Sequence, residues 1–244
     1  MLPGLVATAC SQDDVSTSVK RPAAQRPDID KSLAAKGSLL LPASEEFNYT
    51  AFTSGQTGSA RGESAAVSRD GARCAAQAGQ GGTAWAEFQM GHCFDNTSGL
   101  PLDAVLRLRL KATESRSFQG SDADPTESGS TAAAALRFFI KDSNGQMLRN
   151  EDLLTSSLAQ GPQSSTNSHD VVFDVRFEPD RGYYLIIAGR AECQAGSAKS
   201  TSVSIDVASA SMDIRWRAAA AEPATTAGPP AAGPASAPAP LAGS

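Results

Sequence analysis

Reactive side chains crowd most densely into the stretch EFQMGHCFDN, which holds Glu87, His92, Cys93 and Asp95. A cysteine next to a histidine has the parts of a nucleophile and its base, because imidazole can draw off the thiol proton. The pair must meet in space, however, and adjacent strand residues point to opposite faces. Proton shuttles are also scarce, since His169 is the other histidine of the chain. The stretch therefore reads as a strand end with a packed cysteine, and no catalytic residue is assigned. Glu87 and Asp95 sustain one alternative, a polysaccharide lyase or hydrolase on a jelly-roll scaffold. It requires the two carboxylates to face each other across a cleft at about 5–10 Å.

Two segments have oxygen ligands of the kind a cation wants. In GSDADPTES, Asp122, Asp124 and Glu127 could serve calcium, which takes six to eight oxygens in forgiving geometry. The spacing fits no calcium motif, and the same loop suits a solvated connection between sheets. Asp142-Ser143-Asn144-Gly145 begins like an EF-hand loop but lacks a further oxygen ligand before the glycine and the closing glutamate, so it reads as a turn. No C-x-x-C pair exists to build a cysteine zinc site. Calcium is the one cofactor the sequence admits; otherwise none is expected.

Aromatic rings can stack on the apolar faces of sugars. Trp85, Tyr183, Tyr184 and Trp216 are the candidates, in a chain only 6% aromatic, where a sandwich core would claim most rings. Tyr183 and Tyr184 are adjacent, so on a strand one of them points outward. Trp85, Tyr183 and Tyr184 are the expected ligand-binding residues.

The elements that must position these groups have period two. Leu106, Leu108 and Leu110 alternate with Arg107, Arg109 and Lys111, the pattern of a half-buried strand. Val171, Phe173, Val175 and Phe177 do the same, followed by a turn at Asp180-Arg181-Gly182 and the strand GYYLIIAGRAEC. In TSVSIDVASASMDIRW the apolar phase slips by one residue after Ala208, as a β-bulge would make it. Asp70-Gly71 signals a tight hairpin, and TAWAEFQMGHCF and TAAAALRFFIKD are further strands. One segment reads as helix, RNEDLLTSSLAQG, with Asn150 as cap and Gly161 as stop; a single helical turn is also expected in DIDKSLAAKG. About eight strands and one short helix give an all-β fold, an antiparallel β-sandwich of jelly-roll type. The loops 117–131 and 160–168 are expected to carry the chain between sheets. Small residues near Cys74 and Ser209 should let sheets or neighbouring chains approach closely.

The ends differ from the middle. Residues 218–244 are almost wholly Pro, Ala and Gly with small polar residues, which cannot bury enough surface to offset ordering, so a disordered tail is expected. Residues 11–44 read as a polar tether and 45–217 as the folded domain. At the start, Leu5-Val6-Ala7-Thr8-Ala9-Cys10 resembles a bacterial lipobox, in which the cysteine becomes the lipid-bearing first residue. Residues 1–10 would then be a truncated export signal, with Cys10 as the lipidation site. Ala7-Thr8-Ala9 also satisfies the rule for plain cleavage, and a basic leading segment is missing. The texture of 45–217 is similar to secreted β-sandwich proteins of Gram-negative bacteria. That resemblance implies an exported protein, at the outer membrane or cell surface, periplasmic or secreted, and supplies no catalytic motif.

Cys74, Cys93 and Cys193 allow one disulfide or three buried thiols. A net charge of −5 with both signs scattered gives no footprint for nucleic acid, and no apolar run is long enough to span a membrane as a helix. Membrane contact would come through a lipid anchor. The expectation is a non-catalytic module that binds an envelope glycan, a surface protein or itself.

Overall fold

The computed structural model describes residues 28–42, 47–119, 129–157 and 163–217, and the backbone of 14–20. Nearly all of it is strand. Four strands run outward along the chain: β6 (Gly71–Gly79), β7 (Thr83–Asn96), β8 (Leu102–Gln119) and β9 (Thr131–Asp142). Four return: β10 (Met147–Ser157), β11 (Gln163–Phe177), β12 (Arg181–Gln194) and β13 (Ser200–Trp216). Each outgoing strand pairs antiparallel with its returning counterpart, β6 with β13, β7 with β12, β8 with β11 and β9 with β10. The chain is thus one long two-stranded ribbon, folded back at the turn 142–146. Wrapping the ribbon on itself adds the pairs β13·β8 and β12·β9. The result is two facing sheets ordered β7-β12-β9-β10 and β6-β13-β8-β11, an eight-stranded jelly roll.

Five more strands precede the ribbon. They are β1 (Asp14–Lys20), β2 (Asp28–Ile29), β3 (Ser38–Leu41), β4 (Tyr49–Thr57) and β5 (Ala60–Ser68). Strands β4 and β1 extend the first sheet, called sheet A, and β5 extends the second, sheet B. Strand β2 adds to β7, and β3 continues the edge of β13 beyond β6. Thirteen strands therefore stand among the described residues, where about eight were expected. Within the stretch 11–44, read as a tether, residues 14–20, 28–29 and 38–41 pair into the sheets.

Local chemistry explains the elements. The one helix among the described residues, α1 (Lys31–Ala35), is capped by Asp30, whose Oδ1 accepts the Leu33 N–H at 2.8 Å, and Gly37 follows it at positive φ. Asp142 builds the ribbon's turn. Its Oδ1 accepts from the backbone N–H of Asn144 and of Gln146, and its Oδ2 takes Arg181 at 3.1 Å. The β13 phase slip is a bulge between Val207 and Ser209. The helix expected at Asn150 is instead β10, an edge strand with register shifts at Met147/Arg149 and Asp152/Leu154.

The core is wedge-shaped. At one end Phe94, Phe177 and Tyr183 interlock at 4.8–5.8 Å between ring centroids, and Phe138 stacks on Phe173 at 5.3 Å. At the other end the fill is alanine: Ala76, Ala78, Ala84, Ala86, Ala132 and Ala134 are all buried. There the sheets come so close that a Cβ on Gly62 would lie 2.2 Å from the Trp85 carbonyl oxygen. Strand β7 crosses the whole wedge, from Ala84 and Ala86 to Phe88, Met90 and Phe94, and β12 runs beside it from Cys193 to Tyr183.

Candidate functional site

Alternation along β7 sends Phe88, Met90, His92 and Phe94 inward and places Trp85, Glu87, Gln89 and Cys93 on the outer face of sheet A. Register then decides what lies beside them. Trp85 pairs with Gly55 on one side and Glu192 on the other, Glu87 with Thr53 and Arg190, Gln89 with Ala51 and Ala188. Farther along, Tyr184 pairs with Cys93 and with Lys141, and Ile186 with Gly91 and Phe139.

These neighbours form an unbroken strip. The Trp85 indole lies over Gly55, where a Cβ would come within 2.5 Å of its Nε1. The Arg190 guanidinium sits 5.3 Å from the indole ring and reaches Glu87 at 3.6 Å. Gln89 donates to Glu87 at 3.0 Å, and the Tyr49 hydroxyl donates to Gln89 at 3.4 Å. Tyr49 meets Tyr184 edge to face at 6.2 Å. The Lys141 ammonium lies 5.4 Å from the Tyr184 ring and 5.8 Å from that of Phe139. Four half-buried rings are thus joined by donors and acceptors across the four strands β4, β7, β12 and β9. From Trp85 to Tyr184 the strip runs eight residue steps, roughly 26 Å at the usual strand rise. Burial, and then the neighbouring Tyr184, raise the Tyr49 hydroxyl pKa above its usual value, so it remains a neutral donor.

Of the three ring residues expected to bind ligand, Trp85 and Tyr184 are on this strip. Tyr183 is the inward member of its pair. Its ring is 1% exposed in the core, and its hydroxyl donates to the Glu178 carbonyl at 3.1 Å. Trp216 packs edge to face on Phe177, away from the strip. Sequence reading missed Tyr49, Phe139, Lys141, Gln89 and Arg190; outward parity on β12 and β9 was the available signal.

The reactive cluster resolves into separate parts. His92 faces inward and Cys93 outward, as alternation requires, and Asn48 holds both. Asn48 Oδ1 accepts the Cys93 N–H, and its Nδ2 donates to the Cys93 carbonyl, each at 2.8 Å. The Cys93 thiol donates to the same Oδ1 at 3.4 Å, and His92 Nε2 lies 3.4 Å from Asn48 Nδ2. Burial lowers the His92 pKa to about 4, so the ring is neutral and is no proton acceptor for a thiol on the other face. Glu87 and Asp95 share the outer side of one strand eight steps apart, roughly 26 Å, far beyond the carboxylate spacing of a glycosidase.

Cys74, Cys93 and Cys193 are free buried thiols, so the disulfide considered among them does not form. Cys93 pairs with Tyr184 while Cys193 pairs with Ala84, which separates those two by nine steps of one ladder, roughly 30 Å. Cys74 belongs to the opposite sheet and Cys193 hydrogen-bonds across to the Thr201 carbonyl. Burial pushes the Cys74 thiol up to about 12 and that of Cys193 to about 11. Asp122, Asp124, Glu127 and Cys10 lie outside the described residues, and among those described no cluster of His, Cys, Asp and Glu could hold a metal ion. Nor is any described helix long and apolar enough to cross a membrane.

No family model and no curated protein matches the chain. Among solved structures it is similar to a carbohydrate-binding module of the β-sandwich superfamily, with 12% identity and a TM-score of 0.26, covering 68% of this chain and 57% of that one. A family 11 carbohydrate-binding module from Clostridium thermocellum, in complex with a β-1,3-1,4-mixed-linked tetrasaccharide, matches at 13% identity and TM-score 0.21 over 64% of this chain and 87% of that one. The glycoside hydrolase domain of Endo-D from Streptococcus pneumoniae R6 matches at 12% and 0.26, over 66% and 21% of the respective chains. This chain spans little more than half of the first of these.

Proposed function

We propose that this chain is an exported, non-catalytic module that binds a glycan along the outer face of sheet A. The strip from Trp85 to Phe139 supports this reading. It sets rings for stacking between side chains that both donate and accept, which is what a sugar with apolar ring faces and hydroxyl edges needs. Its length suits an extended polymer, whose successive residues would meet Trp85 at one end and Tyr184 at the other. The strip lies on the central strands of a sheet, which presents the rings in fixed register without ordering a loop.

Export follows from the lipobox-like Leu5–Cys10, with Cys10 carrying lipid and the sandwich presented outside the membrane. Intact mass of protein from the host's membrane fraction tests this part. A chain beginning at Cys10 and carrying acyl groups supports it, and an unmodified chain beginning at Met1 in the soluble fraction overturns it.

The binding reading is tested by affinity electrophoresis through gels holding a neutral β-glucan or a polyuronate. Retardation of the wild type that is lost in Trp85→Ala and Tyr184→Ala is the expected result. Equal mobility of wild type and both variants in every polymer overturns it.

A further inference from the structure

Charge is distributed unequally along the strip on sheet A. Beside Trp85, one guanidinium serves two carboxylates: Arg190 reaches Glu87 at 3.6 Å and Glu192 at 3.0 Å, so this end keeps a surplus negative charge. In the middle, Arg137 and Asp152 match each other at 2.7 Å. Lys141 stands at the far end. Register sets Tyr184 on one side of it and Met147 on the other, with Phe139 and Ser143 two residues away along the chain. Its diagonal neighbours are Gly182, Ile186 and Asn150. None of these is acidic.

The nearest carboxylates are engaged elsewhere or out of reach. Asp142, next in sequence, turns inward to a 1% exposed position and is taken by Arg181 and the turn. Asp95 shares the outer face but sits two strands over, beyond Gly182, roughly 10 Å away at the usual strand spacing. Among the described residues, Lys141 therefore has no carboxylate within ion-pair distance. Its half-buried ammonium lies beside the Tyr184 and Phe139 rings, with the exposed Met147 completing the patch.

A ring face next to an unmatched ammonium complements a sugar that carries a carboxylate: the pyranose lies on the ring and the acid meets the cation. The surplus carboxylate beside Trp85 repels that same group, so neutral sugar suits the other end. The two ends are farther apart than charges act through saline, and each selects the sugar lying on it. Resting on the reading of this strip as a glycan site, we propose that its ligand is a mostly neutral chain with spaced uronate residues, one of which seats its carboxylate at Lys141 while neutral sugar covers Trp85. The strip then has a direction as well as a length.

The test uses the full chain in affinity electrophoresis through gellan, a linear glycan in which a glucuronate recurs among neutral sugars. Carboxyl-reduced gellan, which lacks only the charge, is the comparison. Wild type should bind gellan roughly tenfold more tightly, as expected for one charge-assisted hydrogen bond, and added salt should narrow the difference. Lys141→Gln should abolish the preference and Lys141→Arg should keep it. Glu192→Gln, at an exposed position, should strengthen binding to polygalacturonate, whose uronate at every position otherwise meets the surplus charge beside Trp85. Unchanged thermal unfolding checks the fold of each variant. Equal binding of both gellans by wild type, lost in Trp85→Ala and Tyr184→Ala, overturns the uronate and leaves the strip standing. A preference for gellan that persists in Lys141→Gln also overturns it. Gellan binding that survives both Trp85→Ala and Tyr184→Ala overturns the strip reading, and the uronate at Lys141 with it. If wild type binds none of these polymers and no neutral β-glucan, both are overturned.

Discussion

Asn48 completes the β4·β7 ladder with its side chain, bonding the N–H and C=O of Cys93 at 2.8 Å each, as a strand partner's backbone would. The amide is the one side chain with a donor and an acceptor spaced for both bonds. Asn48→Asp keeps the acceptor and loses the donor, and should cost about 1–3 kcal/mol. Asn48→Ala should cost at least as much. Urea unfolding followed by Trp fluorescence would measure both.

His92 predicts a dependence on pH. Its folded pKa is about 4, below the 6.5 of an unperturbed imidazole, because burial disfavours the charged ring. Between those values the unfolded chain binds more protons than the folded one, so stability falls as pH drops from about 6.5 to about 4 and then levels off. The loss at this site should be roughly 3 kcal/mol. A His92→Gln variant should lack that component in unfolding curves taken at pH 4.5 and 7.5. An unchanged pH slope in the variant would assign the effect elsewhere.

The thiols predict protection. Cys74, Cys93 and Cys193 are fully buried, and the first and last have strongly raised pKa values. A Cys10→Ser chain should react with a thiol reagent at pH 8 only after denaturant is added, and then with three equivalents, with or without reductant. One equivalent in the non-reduced denatured protein would mean that a disulfide had formed.

The thin end of the wedge should tolerate no added volume. Gly62 faces the Trp85 carbonyl, and a methyl group there must push the sheets apart. Gly62→Ala should lower stability by about 1–3 kcal/mol and weaken glycan binding through displaced Trp85. Ala65→Val, on the exposed side of the same strand, should leave both unchanged. Thermal unfolding and gel retardation of the two variants give the comparison.

The sequence made parts of this fold legible for physical reasons. Leu106–Leu108–Leu110 declare a strand because hydropathy alternates against arginine, and the bulge after Val207 is visible because it shifts that alternation. Strands β4 and β5 lack such contrast; their Ala, Gly, Ser and Thr hide which side is buried. Strand β10 misleads through its own bulge. The register shift beside Leu153 and Leu154 leaves two adjacent leucines partly buried, which imitates a helical face behind an Asn cap. The site was half visible. That one of Tyr183 and Tyr184 points outward follows from parity, but Tyr49, Trp85, Phe139 and Arg190 come from separate strands and meet only through register.

The ribbon wrapping also sets how the protein must assemble. The turn at Asp142 joins β9 to β10 locally, yet Ala72 must find Val207 from more than a hundred positions away. Closing such distant pairs comes late and costs chain entropy before contacts reward it. Refolding should therefore be slow, with hydrogen-exchange protection gained first beside the Asp142 turn and last at β6 and the ends of β13. Once closed, the inner strands β12 and β13 cannot leave without breaking ladders on both of their sides, which makes the native state long-lived.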